Sequence, residues 1–268
     1  MKEISLDKPI GRGRTADVYD WDEGHILKLF HNWFPLEDVK YELKIARAVH
    51  ASGVKSPAVG DLVQVQERNG LIYERVAGKT MLAMFQSKPW KVVQYGRLLA
   101  QLHWHMHECV FHADVLAQGA RLQRKINHAD ALPASLKASL LNELQSLPAG
   151  DRVCHGDFHP DNLLLSEEDA TVIDWIDASR GNPFADVART SIILCGAAES
   201  AQVPNPFLKM FVKLFHSTYL NQYFRLRPGG QEEYRHWLPI VAAARLTEGI
   251  TELESWLLQQ AKRIERAR

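Results

Sequence analysis

Two short stretches hold most of the groups in this chain that could do chemistry. His155-Gly156-Asp157-Phe158-His159-Pro160-Asp161-Asn162 places a carboxylate, Asp157, five residues before an amide, Asn162. Val172-Ile173-Asp174-Trp175 adds a second carboxylate, Asp174, twelve residues beyond Asn162. A loop followed by a hairpin brings groups at these spacings together. One carboxylate can then orient an attacking hydroxyl and take its proton. The amide and the other carboxylate are hard oxygen ligands suited to Mg²⁺. That division of labour is what phosphoryl transfer from a nucleotide needs in one small volume. A lone Asp-x-x-x-x-Asn would read equally as a polar turn whose side chains satisfy backbone groups. The joint run of His, Gly, Asp and Asn, followed by Ile-Asp-Trp, is harder to place in a turn.

The N-terminal part offers matching groups. Gly11-Arg12-Gly13-Arg14-Thr15-Ala16 falls between two predicted strands. A dinucleotide fingerprint would instead join a strand to a helix, so the context favours a glycine-rich hairpin lying over phosphates. Gly11 and Gly13 would let backbone N–H groups approach the anion closely. Lys28 sits inside the apolar run Ile26-Leu27-Lys28-Leu29-Phe30, on the third predicted strand, where its ammonium emerges on one face. A nucleotide phosphate is a suitable partner for it.

These groups need elements to hold them. Alternation and turn residues predict strands over Ile4–Val18 and Ile26–Phe30. Leu36, Val39, Leu43, Ala46 and Val49 recur at helical spacing in Pro35–Ser52, with Gly53 as the stop. Leu62–Gln66 and Leu71–Val76 flank Asn69-Gly70, a two-residue hairpin signal. Beyond Ala77-Gly78 helical periodicity takes over, at Lys91–Glu108, Gln118–Asn127, Ala134–Leu147, Phe184–Leu194, Phe207–Phe224 and Glu232–Arg266. A strand–loop–strand–strand section interrupts it at Val153–Trp175. A small, mostly β lobe over 1–76 therefore precedes a larger, mostly helical lobe over 77–268.

The pattern H-G-D-x-H-x-x-N followed by I-D-W resembles the signature of the aminoglycoside phosphotransferase and choline kinase family. That resemblance implies an α+β, bilobal, protein-kinase-like fold with the nucleotide in the cleft. It implies a small-molecule kinase that moves the γ-phosphoryl group of ATP, or of GTP, to a hydroxyl with Mg²⁺. By the same resemblance Asp157 is the catalytic base, and Asn162 and Asp174 are the metal ligands. Gly11, Gly13 and Lys28 hold the phosphates, and Glu42 pairs with Lys28. Glu74-Arg75-Val76-Ala77-Gly78 resembles the hinge, where the backbone of Glu74 and Val76 meets the adenine edge. Asp186, in Gly181-Asn182-Pro183-Phe184-Ala185-Asp186, resembles a structural aspartate that ties the catalytic loop to the helix behind it, and His155 orders that loop. Ile176 stands where many relatives carry an acid, so Asp177 is the nearest candidate for a second metal contact and otherwise structural. The family's acceptors include aminoglycosides, choline-like amines, thiamine, homoserine, methylthioribose and other sugars.

Two other readings follow from the same residues. A protein kinase needs a long activation segment closed by Ala-Pro-Glu. Here Pro183 arrives nine residues after Asp174 and no Ala-Pro-Glu occurs. A silent nucleotide-binding protein would not need the full catalytic set. Composition narrows the rest. The 268 residues are 46% hydrophobic and 24% charged, an ordinary globular balance. Lys and Arg number 32 and so do Asp and Glu, leaving no field to gather nucleic acid or anionic membrane. The basic end (Lys262, Arg263, Arg266, Arg268) reads as a solvated helix terminus. Cys109, Cys154 and Cys195 are odd in number and widely spaced, as in a reducing compartment. With no apolar leader or span, a cytoplasmic chain with a small-molecule hydroxyl acceptor is expected. His103 and His107 share a helix face and read as core histidines. Tyr219, Tyr223, Trp237 and Trp256 read as core aromatics rather than a cage for a quaternary amine. Glu248, Glu252 and Glu254 read as a solvated face.

Overall fold

Alternating apolar residues between Ala16 and Phe30 build the first sheet. The computed structural model describes residues 8–167, 169–200 and 206–266. Ile4 to Asp7 of the first expected strand, Pro204 and Arg268 lie outside them. Strands β1 (Gly11–Arg12), β2 (Ala16–Asp20), β3 (His25–Phe30), β4 (Val59–Val65) and β5 (Arg68–Glu74) form an antiparallel sheet in the order β1-β2-β3-β5-β4. Helix α1 (Leu36–Ala51) lies between β3 and β4 in the chain. Contacts group Met1–Lys79 with Leu163–Ile176 as one unit, and Thr80–Asn162 with Asp177–Arg268 as another.

The period of two along β3 sorts its side chains. Leu27 and Leu29 pack with Tyr19 on one face, beside Val63 and Val65. Phe30 joins Val39 of α1, Leu71 and Ala16 on the other. Lys28 shares the face of Phe30 and stands 5.6 Å from its ring centroid. The lysine therefore points toward the helix. The buried face of α1 comprises Val39, Glu42, Ile45, Ala46 and Val49. Leu36, expected on that face, is exposed. Val39, Ala46 and Val49 are buried as expected and Leu43 packs against the same core, while Glu42 and Ile45 complete the face.

The hairpin also differs from expectation. The two-residue turn is Gln66-Glu67, both with positive φ (47° and 64°), and Val65 pairs with Arg68 across it. Such φ values are those of a type I′ turn. Asn69-Gly70 lies inside β5 instead. A Cβ on Gly70 would come within 2.7 Å of Leu27 Cδ1 and 3.2 Å of the Lys28 carbonyl oxygen. The glycine serves close packing against β3, not a turn.

In the second unit β6 (Lys79–Thr80) leads into α2 (Met81–Ser87), where Thr80 Oγ1 caps the Ala83 N–H at 3.2 Å. Helices α3 (Val92–Glu108), α4 (Gln118–Asn127) and α5 (Ala134–Ser146) follow, and then β7 (Arg152–Cys154). In the first unit β8 (Leu163–Leu165) and β9 (Ala170–Val172) pair as a hairpin. Strand β10 (Ser179–Gly181), not anticipated in the sequence, pairs with β7. Helix α6 (Pro183–Glu199) starts at Asn182, whose Oδ1 accepts the Phe184 N–H at 2.9 Å. It is buried on most sides, between α7 (Pro206–Leu226) and α8 (Gln231–Arg245). The expected single helix Glu232–Arg266 is broken. Gly249 turns left-handed (φ 67°) after α8, and α9 (Glu254–Ala261) resumes between 3₁₀ turns. Among the described residues no helix is long and apolar enough to cross a membrane.

The two glycine readings separate in a stability experiment. Gly70→Ala should lower the unfolding free energy by about 1–3 kcal/mol through overpacking. Asn69→Ala should stay within about 0.5 kcal/mol. Urea midpoints measure both, and equal effects would return the turn to Asn69-Gly70.

Candidate active site

In the first unit a lysine is clamped between two carboxylates. Lys28 Nζ donates to Glu42 Oε1 at 2.7 Å and to Asp174 Oδ1 at 3.0 Å. Asp174 is 146 residues away in sequence, carried there by the turn after β9. Glu42 is 1% exposed and also accepts from the Tyr73 hydroxyl at 2.9 Å. Burial alone would push the Lys28 ammonium toward neutrality. Glu42 and Asp174 outweigh it and hold its pKa above the ordinary value. Tyr73 is pushed up by burial and by Glu42, so its phenol stays protonated. The triad thus offers a permanently charged, oriented ammonium. Asp174 holds a left-handed backbone (φ 64°) that costs on the order of 1–3 kcal/mol in a non-glycine residue. Strain of this kind is found where a side chain must be aimed. Glu42 Oε2 is buried with no hydrogen-bond donor among the described residues.

In the second unit the Asp157 loop is tied down at both ends. Asn162 Nδ2 donates to the Asp157 carbonyl oxygen at 2.9 Å and to Asp157 Oδ2 at 3.3 Å. His159 Nε2 meets the same carboxylate at 3.2 Å, and Arg189 Nη2 lies 3.7 Å from Oδ1. Arg189 Nε also donates to the Gly156 carbonyl at 2.9 Å. Burial would raise the Asp157 pKa, but the bond from His159 and the charge of Arg189 hold it well below the carboxylate range. Asp157 is an ionised acceptor at neutral pH.

Behind this loop lies a fully buried carboxylate. Asp186 Oδ2 accepts the His155 N–H at 2.7 Å and Oδ1 accepts the Gly156 N–H at 2.8 Å. The Nε2 atoms of His103 and His107 approach Oδ2 at 3.1 and 3.3 Å. An ionised carboxylate only accepts, so both imidazoles donate through Nε2. Their Nδ1 atoms then accept from the Tyr219 and Tyr223 hydroxyls, each at 2.7 Å. The i,i+4 spacing on α3 matches the i,i+4 spacing on α7, rung for rung. These aromatics are core, as expected.

Other expected residues fall elsewhere. Gly11 lies in β1 opposite Val18, and Gly13 closes the β1–β2 turn through its N–H to the Ala16 carbonyl at 2.9 Å. Glu74 Oε2 accepts the Ala58 N–H at 3.0 Å, so its side chain serves the edge of β5, and Val76 follows that strand. Asp177 pairs with Arg121 at 2.7 Å. Glu248 is no solvated face: it pairs with Arg189 at 2.7 Å and contacts Arg245 and Lys125 at 3.5 and 3.6 Å. Tyr73 and Arg189 were missed. Both had a signal. Tyr73 is two residues from Leu71 on β5, hence on the helix-covered face, and Arg189 is one turn beyond Asp186 on α6.

The comparisons agree with this architecture. The phosphotransferase enzyme family matches residues 8–228, and the chain belongs to that family. It is therefore a small-molecule phosphotransferase. No curated protein sequence matches the chain. Among solved structures, it is similar to a thermostable mutant of aminoglycoside phosphotransferase APH(4)-Ia in ternary complex with ADP and hygromycin B. The TM-score is 0.66 at 15% identity, covering 98% of this chain and 94% of that one. An amicoumacin kinase, hAmiN, in complex with AMP-PNP, Ca²⁺ and Ami gives 0.61 at 16%, covering 96% and 87%. A choline/ethanolamine kinase family protein from Mesorhizobium loti gives 0.59 at 16%, covering 97% and 86%. At these identities the likeness defines the fold: α+β and protein-kinase-like.

The buried network sets a pH dependence. Burial, the mutual repulsion of the two rings and His155 push the His103 pKa down from 6.5 to about 3, against the pull of Asp186. Burial and Arg227 push His107 down too, against Asp186 and Glu108. Below pH 6.5 the unfolded chain takes up protons that the folded chain refuses, so stability falls as pH falls. Asp186 is held well below 3.8 by the two imidazoles despite its burial, and its contribution is lost only under still more acid conditions. Unfolding free energies from urea titrations should decline from about pH 6.5 to pH 4, by on the order of 1 kcal/mol per pH unit from His103, with His107 adding in the same direction. A flat profile would contradict neutral buried histidines.

Proposed function

We propose that this phosphotransferase moves the γ-phosphoryl group of ATP to a hydroxyl of a small molecule, with Mg²⁺. The observation that carries the reading is Lys28 held by Glu42 and Asp174, a charged ammonium fixed within an apolar strand. Such a group suits nucleotide phosphates. Gly11 brings its backbone toward the same anion, Gly13 shapes the turn with its own N–H held by the Ala16 carbonyl, and the backbone of Glu74 and Val76 takes the adenine edge.

The donor set fits a hard divalent cation. The Asn162 amide nitrogen is occupied by Asp157, which leaves its Oδ1 as the ligand atom. Asp174 offers a carboxylate that is about half exposed, 47%. Asn162 and Asp174 would hold Mg²⁺, which when bound neutralises charge on the phosphates. Asp157, ionised and oriented by Asn162 and His159, accepts the proton of the acceptor hydroxyl. The hydroxyl oxygen forms its bond to the γ-phosphorus as the bond to the β–γ bridging oxygen breaks, and ADP leaves. Arg189 keeps the carboxylate aligned from the loop's other side.

Asp157→Ala should lower turnover by about 10²–10⁴-fold while nucleotide affinity stays within about twofold. Asp174→Ala should abolish the gain in nucleotide affinity that Mg²⁺ gives the parent protein. Steady-state kinetics and calorimetric titration of ATP measure both. Undiminished turnover in the first variant, or an intact Mg²⁺ effect in the second, would overturn the assignments.

A further inference from the structure

The second unit contains a cavity beside the Asp157 loop, lined by four cations and two carboxylates. Its volume is about 40 Å³, partly open to solvent, between α4, α6 and α8. Arg121 and Lys125 line it from α4, Arg189 from α6 and Arg245 from α8, with Gly156 and Asp177 at the loop side. Arg189 links the cavity to the site, since it bonds the Gly156 carbonyl and lies 3.7 Å from Asp157.

The carboxylates nearby are already committed. Asp177 is taken by Arg121. Asp186 is saturated by two amides and two imidazoles. Glu248 is shared by three cations as ion pairs, nearest to Arg189 at 2.7 Å, and its Oε1 makes no well-formed hydrogen bond among the described residues. Arg245 is left with a 3.5 Å ion pair, and its Nη1 is buried with no acceptor among the described residues. Its side chain is only 11% exposed. Burial and the neighbouring Arg189 push the Arg245 pKa down to about 10 and lower that of Lys125 as well. Buried cationic donors without acceptors are costly, and an oxyanion is the group that relieves them. Four cations stand against the carboxylates of Asp177, Asp186 and Glu248, a balance that favours an anion over a polycationic ligand.

We propose that this cavity is the acceptor subsite, and that the acceptor is a hydroxy compound bearing an oxyanion, a carboxylate or a phosphate ester. The oxyanion is seated on Lys125 and Arg245 while the hydroxyl faces Asp157. This substrate class rests on the phosphotransfer reading above, and departs from the aminoglycosides and choline-like amines among the expected acceptors.

Calorimetric titration of the full chain, without nucleotide, tests it with four probes of similar size: glycerol 3-phosphate, glycerate, glycerol and choline. One or both anions should bind saturably, and the tighter of the two identifies the oxyanion. Glycerol and choline should not bind. Lys125→Gln and Arg245→Gln should each weaken anion binding about tenfold or more, the loss expected for a charge-assisted bond. Lys125 is the more exposed of the two, at 28%, so its variant decides the matter should Arg245→Gln unfold. Unchanged anion affinity in the Lys125 variant, or choline binding as tightly as the anions, would overturn the inference. A second arm adds Mg-ATP and follows gain of one phosphate by mass. Phosphorylation of choline or glycerol in preference to both anions would overturn the inference and leave the phosphotransfer reading standing. Anion binding with no ATP turnover on any acceptor would count against that reading and leave the anion site.

Discussion

A single carboxylate with no access to water organises the Asp157 loop. Asp186 receives two backbone N–H groups from His155 and Gly156 and two imidazole N–H groups from α3. A buried charge is tolerated only when its lone pairs are filled, and here they are. The four donors come from two separate elements, so the carboxylate locks the loop to α3 and α6 at once. Gly156 can take part because its φ is 78° and a Cβ there would sit 2.5 Å from the Asp177 carbonyl. The Asp157 carboxylate is aimed by what lies behind it.

The first unit solves a parallel problem with the opposite charge. Lys28 emerges from an apolar strand onto a face covered by α1, where a bare ammonium would be driven toward neutrality. Glu42, buried in the middle of the helix stripe, prevents that. Asp174 adds a second anion through a backbone conformation that is itself unfavourable. Both halves of the machinery place an ionised group in a low-dielectric setting and surround it with fixed partners. Arrangements of this kind need no reorganisation when charge moves.

Much of this was legible in the residues. The succession of strands and one helix along the first 76 residues, the α3 and α4 spans and the Asp157–Asn162 loop follow from periodicity and motif spacing. Other features were not, for physical reasons that can be named. The α1 stripe was legible except at its first residue, Leu36, and at Glu42, a buried acid that an apolar pattern excludes. The β4–β5 turn was misplaced because Gln66 and Glu67 adopt positive φ without glycine, while Gly70 answers a packing demand from Leu27. The long C-terminal helix was over-read because Gly249 is a small signal in a helical run. Glu248 was read as solvent-facing since the three cations that surround it lie on α4, α6 and α8, a coincidence of tertiary packing. The basic cavity was invisible for the same reason: its cations are scattered over more than a hundred residues with no local motif.

The central claim is that Asp186 holds the His155–Asn162 loop in place before any ligand binds. Native-state hydrogen exchange at the His155 and Gly156 amides reads that directly. Both amides lie outside strand β7, and each has its hydrogen bond to the Asp186 carboxylate. They should exchange as slowly as the buried Val153 amide in the adjacent strand, without nucleotide present. Exchange at the rate of an open loop would show that the carboxylate does not restrain them, and the account of a preorganised site would fail.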